Sequence, residues 1–131
     1  MDVIPVSLYV LLAYWGFHQL GIFPADLDQA VFAVQLPSGA IWQPTYGDLM
    51  LVLGLVALFI EIFKSTRTTD TSIIDHVLST FVLTGYLVMW LIDPWAGNSY
   101  FLLLSLMALI DVIAGFTVTI AAARRDIEVE K

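Results

Sequence analysis

The chain has 131 residues, 60% of them hydrophobic and 13% charged, with 12 Asp plus Glu against 5 Lys plus Arg and a net charge of −7. A soluble domain carries about a quarter charged residues because its surface faces water; this composition asks for lipid instead, in one domain covering 1–131. The absence of cysteine excludes disulfide frameworks, thiolate zinc and iron–sulfur sites and cysteine nucleophiles, and so few basic residues leave no phosphate-tracking surface for nucleic acid.

Four apolar segments follow one another, at about 4–23, 46–63, 73–92 and 100–123. At a rise of ~1.5 Å per residue each can cross a hydrocarbon core ~30 Å thick, the second only with residues 46–48 in its first turn. The expected fold is therefore all-α: a four-helix transmembrane bundle with an outer loop of about two dozen residues between helices 1 and 2.

In the first segment Pro5 falls in the opening turn, where its missing N–H is harmless. The segment has no basic start and is interrupted by Tyr9, Tyr14, Trp15 and His18, so it is expected to be retained rather than cleaved as a signal. Gly21 and Pro24 stop it. In the loop that follows, residues 31–36 and 40–42 flank Pro37-Ser38-Gly39, the pattern of a short hairpin or bent loop. Its Phe32, Ile41 and Trp42 are expected to avoid water, which makes the loop a lid over the helix ends at the membrane interface.

Span two opens with Thr45-x-x-Asp48 and span three with Ser72-x-x-Asp75. Both fit the capping box, in which a hydroxyl and a carboxylate satisfy backbone N–H groups at a helix start. Asp93-Pro94 ends span three, since the residue before proline is driven out of helical geometry. Asn98 or Ser99 caps span four. The connections at 65–71 and 94–97 are short, so spans two, three and four are expected to be antiparallel neighbours. Trp90, Trp95 and Tyr100 cluster at the outer boundary, where amphipathic rings favour headgroup depth.

Charge gives an orientation. Lys64 and Arg67 follow span two; Arg124, Arg125 and Lys131 follow span four. The connections after spans one and three hold Asp26, Asp28, Asp48 and Asp93 without Lys or Arg. The positive-inside rule then puts both termini in the cytoplasm, in a multi-pass protein of a bacterial inner membrane. Its expected partners are membrane lipid and either further copies of itself or other membrane subunits.

Asp111 is the one charged residue inside the fourth span. An ionised carboxylate there costs at least ~2.5 kcal/mol, so it must be paired, protonated or packed against protein. On a helical wheel it shares a face with Ser105, Ala108, Gly115, Thr119 and Ala122, small residues of the kind that let membrane helices approach closely. It is either structural glue in a helix contact or a titrating group in a proton or ion pathway.

Glu61 lies about one turn before the end of span two, and His76 about one turn after the start of span three. The short connection puts them at one depth, so Glu61 can pair with His76 or with Lys64 three residues on. Asp75 is assigned to capping. His76, Thr80 and Thr84 continue at i, i+4 spacing, and Thr84 comes ~12 Å deeper than His76, near the depth of Asp111. Tyr14 sits near mid-membrane with His18 a turn further out. A relay can be drawn through Glu61 or His76, Thr80, Thr84, Asp111, Tyr14 and His18, although membrane threonines commonly bond back to their own helix.

Other chemistries find no support in these residues. His18 and His76 are ~15 Å apart along the membrane normal, too far for one bis-histidine haem. There is no HExxH, ExxH or His cluster, no nucleophile elbow and no phosphate-cradling glycine loop. No metal, cofactor or catalytic set is expected.

The stretches EIFKSTR, SIIDH and DVIAGFTV, within residues 61–118, resemble those of small uncharacterised four-span bacterial inner-membrane proteins. That resemblance includes Glu61, Asp75, His76 and Asp111 and implies location and topology, with no activity to carry over. The chain departs from small multidrug transporters and fluoride channels: it has no Glu in span one and no Gly-Gly-Arg signature, and its charge bias opposes dual topology. The expected function is non-enzymatic, a structural or accessory subunit of a homo- or hetero-oligomeric complex. The alternative is a small oligomeric proton or ion channel or transporter using Asp111, Glu61 and His76.

Overall fold

The computed structural model describes residues 4–23, 25–66 and 70–130, with the side chains of 70–72, 122 and 126–130 outside the described set. The protein is mostly helical: α1 (Val6–Gln19), α2 (Tyr46–Ser65), α3 (Asp70–Ile92) and α4 (Ser99–Glu130), with a 3₁₀ turn at Pro94–Ala96 and two short strands, β1 (Val34–Gln35) and β2 (Ile41–Trp42). Among the described residues, three helices are long and apolar enough to cross a membrane, over Tyr46–Ser65, Ile73–Ile92 and Ser99–Arg125.

Helix α1 is different. Its 14 residues cover ~21 Å, less than a ~30 Å core, whereas the sequence suggested a segment reaching Phe23. The helix stops because Gly21 adopts a φ of 81°, a conformation open to residues without a Cβ. The Gly21 and Ile22 amides then turn back onto the His18 and Phe17 carbonyls, each at 3.0 Å, which closes the helix as a Schellman motif.

The other boundaries follow side-chain chemistry. At the start of α2, Thr45 Oγ1 accepts from the Asp48 N–H at 3.1 Å and Asp48 Oδ2 accepts from the Thr45 N–H at 3.0 Å, the expected capping box. Asp93 is extended before Pro94 and ends α3. Asn98 Oδ1 accepts from the Phe101 N–H at 2.9 Å and caps α4. The capping role assigned to Asp75 is corrected: α3 already begins at Asp70, which puts Asp75 inside the helix. The side chain of Ser72, the other half of that box, lies outside the described residues.

Around the bundle, α1 packs on α2, α2 on α4, α4 on α3 and α3 on α1. Helices α2 and α3 therefore stand on a diagonal, and α2 runs parallel to its neighbour α4. This corrects the expected row of antiparallel neighbours, which rested on loop length alone. The physical reason is a close fit between α2 and α4. A Cβ on Gly47 would lie 2.4 Å from the Tyr100 ring, and one on Gly54 would lie 2.6 Å from Leu104 Cδ2 and 2.8 Å from Met107 Sδ. With hydrogen atoms at those positions the Tyr100, Leu104 and Met107 side chains pack directly onto the α2 backbone, the close van der Waals contact that small residues allow between apolar helices. Val10, Tyr14, Met50, Ala57, Leu83, Tyr86, Phe101, Leu104 and Ala108 fill the shared interior.

The segment between α1 and α2 closes one end. Phe23 and Leu27 are buried, and backbone bonds from Gly47 N–H to the Leu27 carbonyl and from Val31 N–H to the Pro44 carbonyl pin it to the start of α2. Beyond it β1 and β2 pair antiparallel, Val34 opposite Trp42 and Gln35 opposite Ile41, with Gly39 at a φ of 93° in the turn. Phe32, Ile41 and Trp42 are not covered by protein, being 46%, 67% and 50% exposed. Of the segment's large apolar side chains, those buried are Phe23 and Leu27.

The fit of α2 on α4 makes a contrast testable. Gly47→Ala should lower stability by ~1–3 kcal/mol through overpacking, because the Tyr100 ring is tied by its hydroxyl to Asp28 Oδ1 at 3.0 Å and cannot easily move. Gly16→Ala, with nothing within 4 Å of the new Cβ, should be neutral or raise stability by up to ~1 kcal/mol. Thermal unfolding of the two purified variants in one detergent gives the comparison.

Candidate functional site: a buried carboxylate cluster

Two polar sets lie at opposite ends of the bundle, one around Lys64 and one around Trp95. The Lys64 set begins with a helix start that has no cap of its own. Pro5 occupies the N-cap of α1 and offers no side-chain bond. Glu61 Oε1 on α2 accepts from the Val6 N–H instead, and so satisfies an orphan donor and places negative charge at a helix N-terminus. Lys64, one turn on, donates to the same Oε1 at 3.3 Å and to the Ile4 carbonyl at 3.1 Å. Its ammonium also lies 3.6 Å from Asp75 Oδ1 on α3.

Glu61 is 2% exposed, Asp75 4% and Asp111 5%. Three carboxylates are thus buried in this part of the bundle, two of them beside the Lys64 ammonium. Glu61 and Lys64 do form the short-range pair that their spacing allows, but the carboxylate is deep in the bundle rather than reaching for the surface. Of the two partners that spacing allowed Glu61, Lys64 is the one it meets; the alternative contact with His76 does not form, because the diagonal placement of α2 and α3 turns each toward a different neighbour. His76 Nε2 pairs with Thr119 Oγ1 on α4 at 2.7 Å. Its ring lies over Gly115, where a Cβ would come within 2.8 Å of Cε1 and Nδ1.

The small-residue face of α4 points inward as its spacing implied. Ser105, Ala108, Asp111 and Gly115 are buried and Thr119 is partly so; Ala122, placed on the same face, has its side chain outside the described residues. Ser105 Oγ donates to the Phe101 carbonyl at 2.9 Å. Asp111 Oδ2 is buried and meets no hydrogen-bond partner among the described residues, and the same holds for Ser7 Oγ, Ser79 Oγ and Asp75 Oδ1. Asp111, Ser7, Glu61 and Tyr86 border a small, mostly apolar pocket of ≈ 10 Å³ whose other walls include Val10, Ala57, Leu58 and Leu104. The Tyr86 hydroxyl donates to the Ser7 carbonyl at 2.8 Å.

At the opposite end Tyr14 is fully buried. Its hydroxyl donates to the Trp95 carbonyl at 2.8 Å and accepts from Asn98 Nδ2 at 2.9 Å. His18 Nδ1 lies 3.2 Å from the Phe23 carbonyl, and its ring stacks on Trp95 with centroids 4.7 Å apart. Tyr14 is therefore level with the turn between α3 and α4, not mid-bundle. From Asn98 to Asp111 is ~20 Å along α4.

Thr80 and Thr84 join neither set. Both are exposed, and each donates to the carbonyl four residues back, at 3.0 and 2.9 Å, the back-bonding common to such residues in membrane helices. The relay drawn through Thr80, Thr84, Asp111, Tyr14 and His18 is corrected accordingly: its members face different directions and lie at different depths. Among the described residues no group of three His, Cys, Asp or Glu side chains has metal-binding geometry. The sequence reading missed Lys64 as the hub, Ser7 and Tyr86 as cavity walls, and Glu61 as the cap of α1. A helix opening on proline, with Val3 and Ile4 rather than a hydroxyl or carboxylate immediately before it, was the available signal for the last of these.

Comparison with protein-family models, with curated proteins and with solved structures finds no match for this chain.

The divided polar sets give a second contrast. Thr119→Val should strand His76 Nε2 and cost ~1–3 kcal/mol. Thr80→Val and Thr84→Val, on the exposed side, should stay within ~0.5 kcal/mol of the parent. Unfolding midpoints of the three variants read this directly.

Proposed function

We propose that the chain is a non-enzymatic integral membrane protein, a structural or accessory subunit of a homo- or hetero-oligomeric complex in a bacterial inner membrane. Four helices cross the bilayer and both termini are cytoplasmic. The orientation draws on the charge distribution: Lys64, Arg124 and Arg125 belong to one end of the bundle, and Asp26, Asp28, Asp48 and Asp93 to the other. Helix α1 is short, and the chain on either side of it makes up the crossing, from Ile4 beside Lys64 to Phe23 beside His18.

One observation carries the subunit reading. The polar side chains at the Trp95 end are bonded among themselves and to backbone, and Phe101 and Leu104, both buried, separate them from the carboxylates at the Lys64 end. A single chain with this interior offers a rigid apolar exterior to neighbours and little machinery for moving a solute. Apart from the loop and hairpin between α1 and α2, hardly any of it is extramembrane. A second reading, a proton or ion channel or transporter built on Asp111, Glu61 and His76, draws on the Asp111 oxygen that meets no donor; it requires a route formed between copies rather than within one.

Native mass spectrometry of the protein released from membrane vesicles is expected to give a discrete multimer or a fixed-ratio complex with another membrane protein. A monomer at every detergent concentration would count against the subunit reading. The orientation is open to single-cysteine labelling, since the chain has no cysteine. Ser38→Cys should react with an impermeant maleimide in intact spheroplasts, and Thr66→Cys only after permeabilisation.

A further inference from the structure

We propose that the groove beside the start of α2 holds one phospholipid with a primary-ammonium headgroup, its acyl chain in the groove and its ammonium on Asp26. The hollow follows from the early end of α1. The 14 residues of α1 cover ~21 Å against ~30 Å for the 20 of α2. The turn at Gly21 folds the chain back before α1 can flank the first turns of its neighbour. What is left between them is a groove of ≈ 420 Å³, within the ~300–1,000 Å³ of small-molecule sites.

Its lining is graded from apolar to polar. Phe23 and Met50, both buried, form the floor. Phe17 and Ile22 on one side and Leu49 and Leu53 on the other make apolar walls. From Tyr46 to Leu53 is ~10 Å along α2, about a third of a ~30 Å hydrocarbon core. Polar residues border the groove only at the end nearest the loop, where Asp26, Gln29 and Tyr46 meet. The Tyr46 N–H donates to the Gln29 carbonyl at 3.1 Å and keeps those two side by side. An apolar trough with its polar groups gathered at one end has the polarity of a lipid.

Charge selects the headgroup. The chain over 20–48 and 93–98 holds Asp26, Asp28, Asp48 and Asp93 and no Lys or Arg. Asp28 is bonded by the Tyr100 hydroxyl, and Asp48 closes the capping box. Asp26 borders the groove and has no cation from the chain: both ion pairs among the described residues are made by Lys64, at the opposite end. A primary ammonium carries three N–H donors, enough for the Asp26 carboxylate and the Gln29 side-chain carbonyl, while the Tyr46 hydroxyl can donate to the phosphate. A quaternary ammonium has no N–H to give, and an anionic headgroup meets like charge at Asp26. None of this depends on the subunit reading; it needs only a bilayer around helices long and apolar enough to cross one.

Native mass spectrometry of the full chain, titrated with phosphatidylethanolamine, phosphatidylcholine or phosphatidylglycerol of one acyl composition, reads occupancy directly. The parent should hold one phosphatidylethanolamine about fivefold more tightly than either of the others, the worth of a partly exposed ion pair. Asp26→Asn should erase that preference. Leu53→Trp, which fills the groove from a half-exposed position, should lower retention of all three lipids, whereas Phe59→Trp, exposed outside the groove, should not. Glycerophosphoethanolamine, the headgroup without acyl chains, should not compete. Equal retention of the three lipids, or a preference that survives Asp26→Asn, overturns the proposal. So does a Leu53→Trp variant that behaves like Phe59→Trp, or competition by the chain-free headgroup. A dimer that forms only as the lipid leaves would also overturn it, by making a second copy the occupant.

Discussion

Helix α2 can lie against α4 because Gly47 and Gly54 present no side chain where Tyr100, Leu104 and Met107 arrive. The rest of the bundle is arranged around that contact. Once α2 and α4 are parallel neighbours, α3 can reach only the far side of α4, and α1 bridges between α2 and α3. The order of helices around the bundle is thus decided by two hydrogen atoms on α2 rather than by the lengths of the loops.

That order also decides which polar groups meet. Glu61 faces α1 and stands in for the cap that Pro5 cannot supply. His76 faces α4, where Gly115 makes room for its ring and Thr119 answers its nitrogen. Lys64 reaches across both α1 and α3, so one ammonium ties three helices together at their common end. Asp111 stands a little further in, beyond that reach.

Local signals in the sequence were readable where one residue acts on its own neighbourhood. The Thr45–Asp48 box, the Asn98 cap, the stop at Asp93-Pro94 and the hairpin around Gly39 all depend on a few adjacent positions. The inward turn of Asp111 was legible too, since its small-residue face repeats with helical period. What could not be read was lateral choice. Nothing in the short connection at 65–71 says whether α3 lies beside α2 or across from it, so of the two partners open to Glu61 only Lys64, on its own helix, could be read from spacing alone. Asp75 was misread because a Ser-x-x-Asp pattern looks alike at a helix start and one turn inside. Gly47 and Gly54 were visible as letters, but their meaning depends on bulky partners fifty residues away.

The diagonal of α2 and α3 bears on how the chain is made. Helices emerge from the ribosome in order, and α4 follows the other three, yet α4 supplies the surface on which both α2 and α3 rest. Until it arrives, His76 lacks Thr119, the grooves at Gly47 and Gly54 face acyl chains, and the two middle helices lean on α1 alone. The arrival of α4 therefore completes the contacts of both middle helices together. Without α4 the His76 imidazole would have no hydroxyl beside it, and the hollows at Gly47 and Gly54 would stand open.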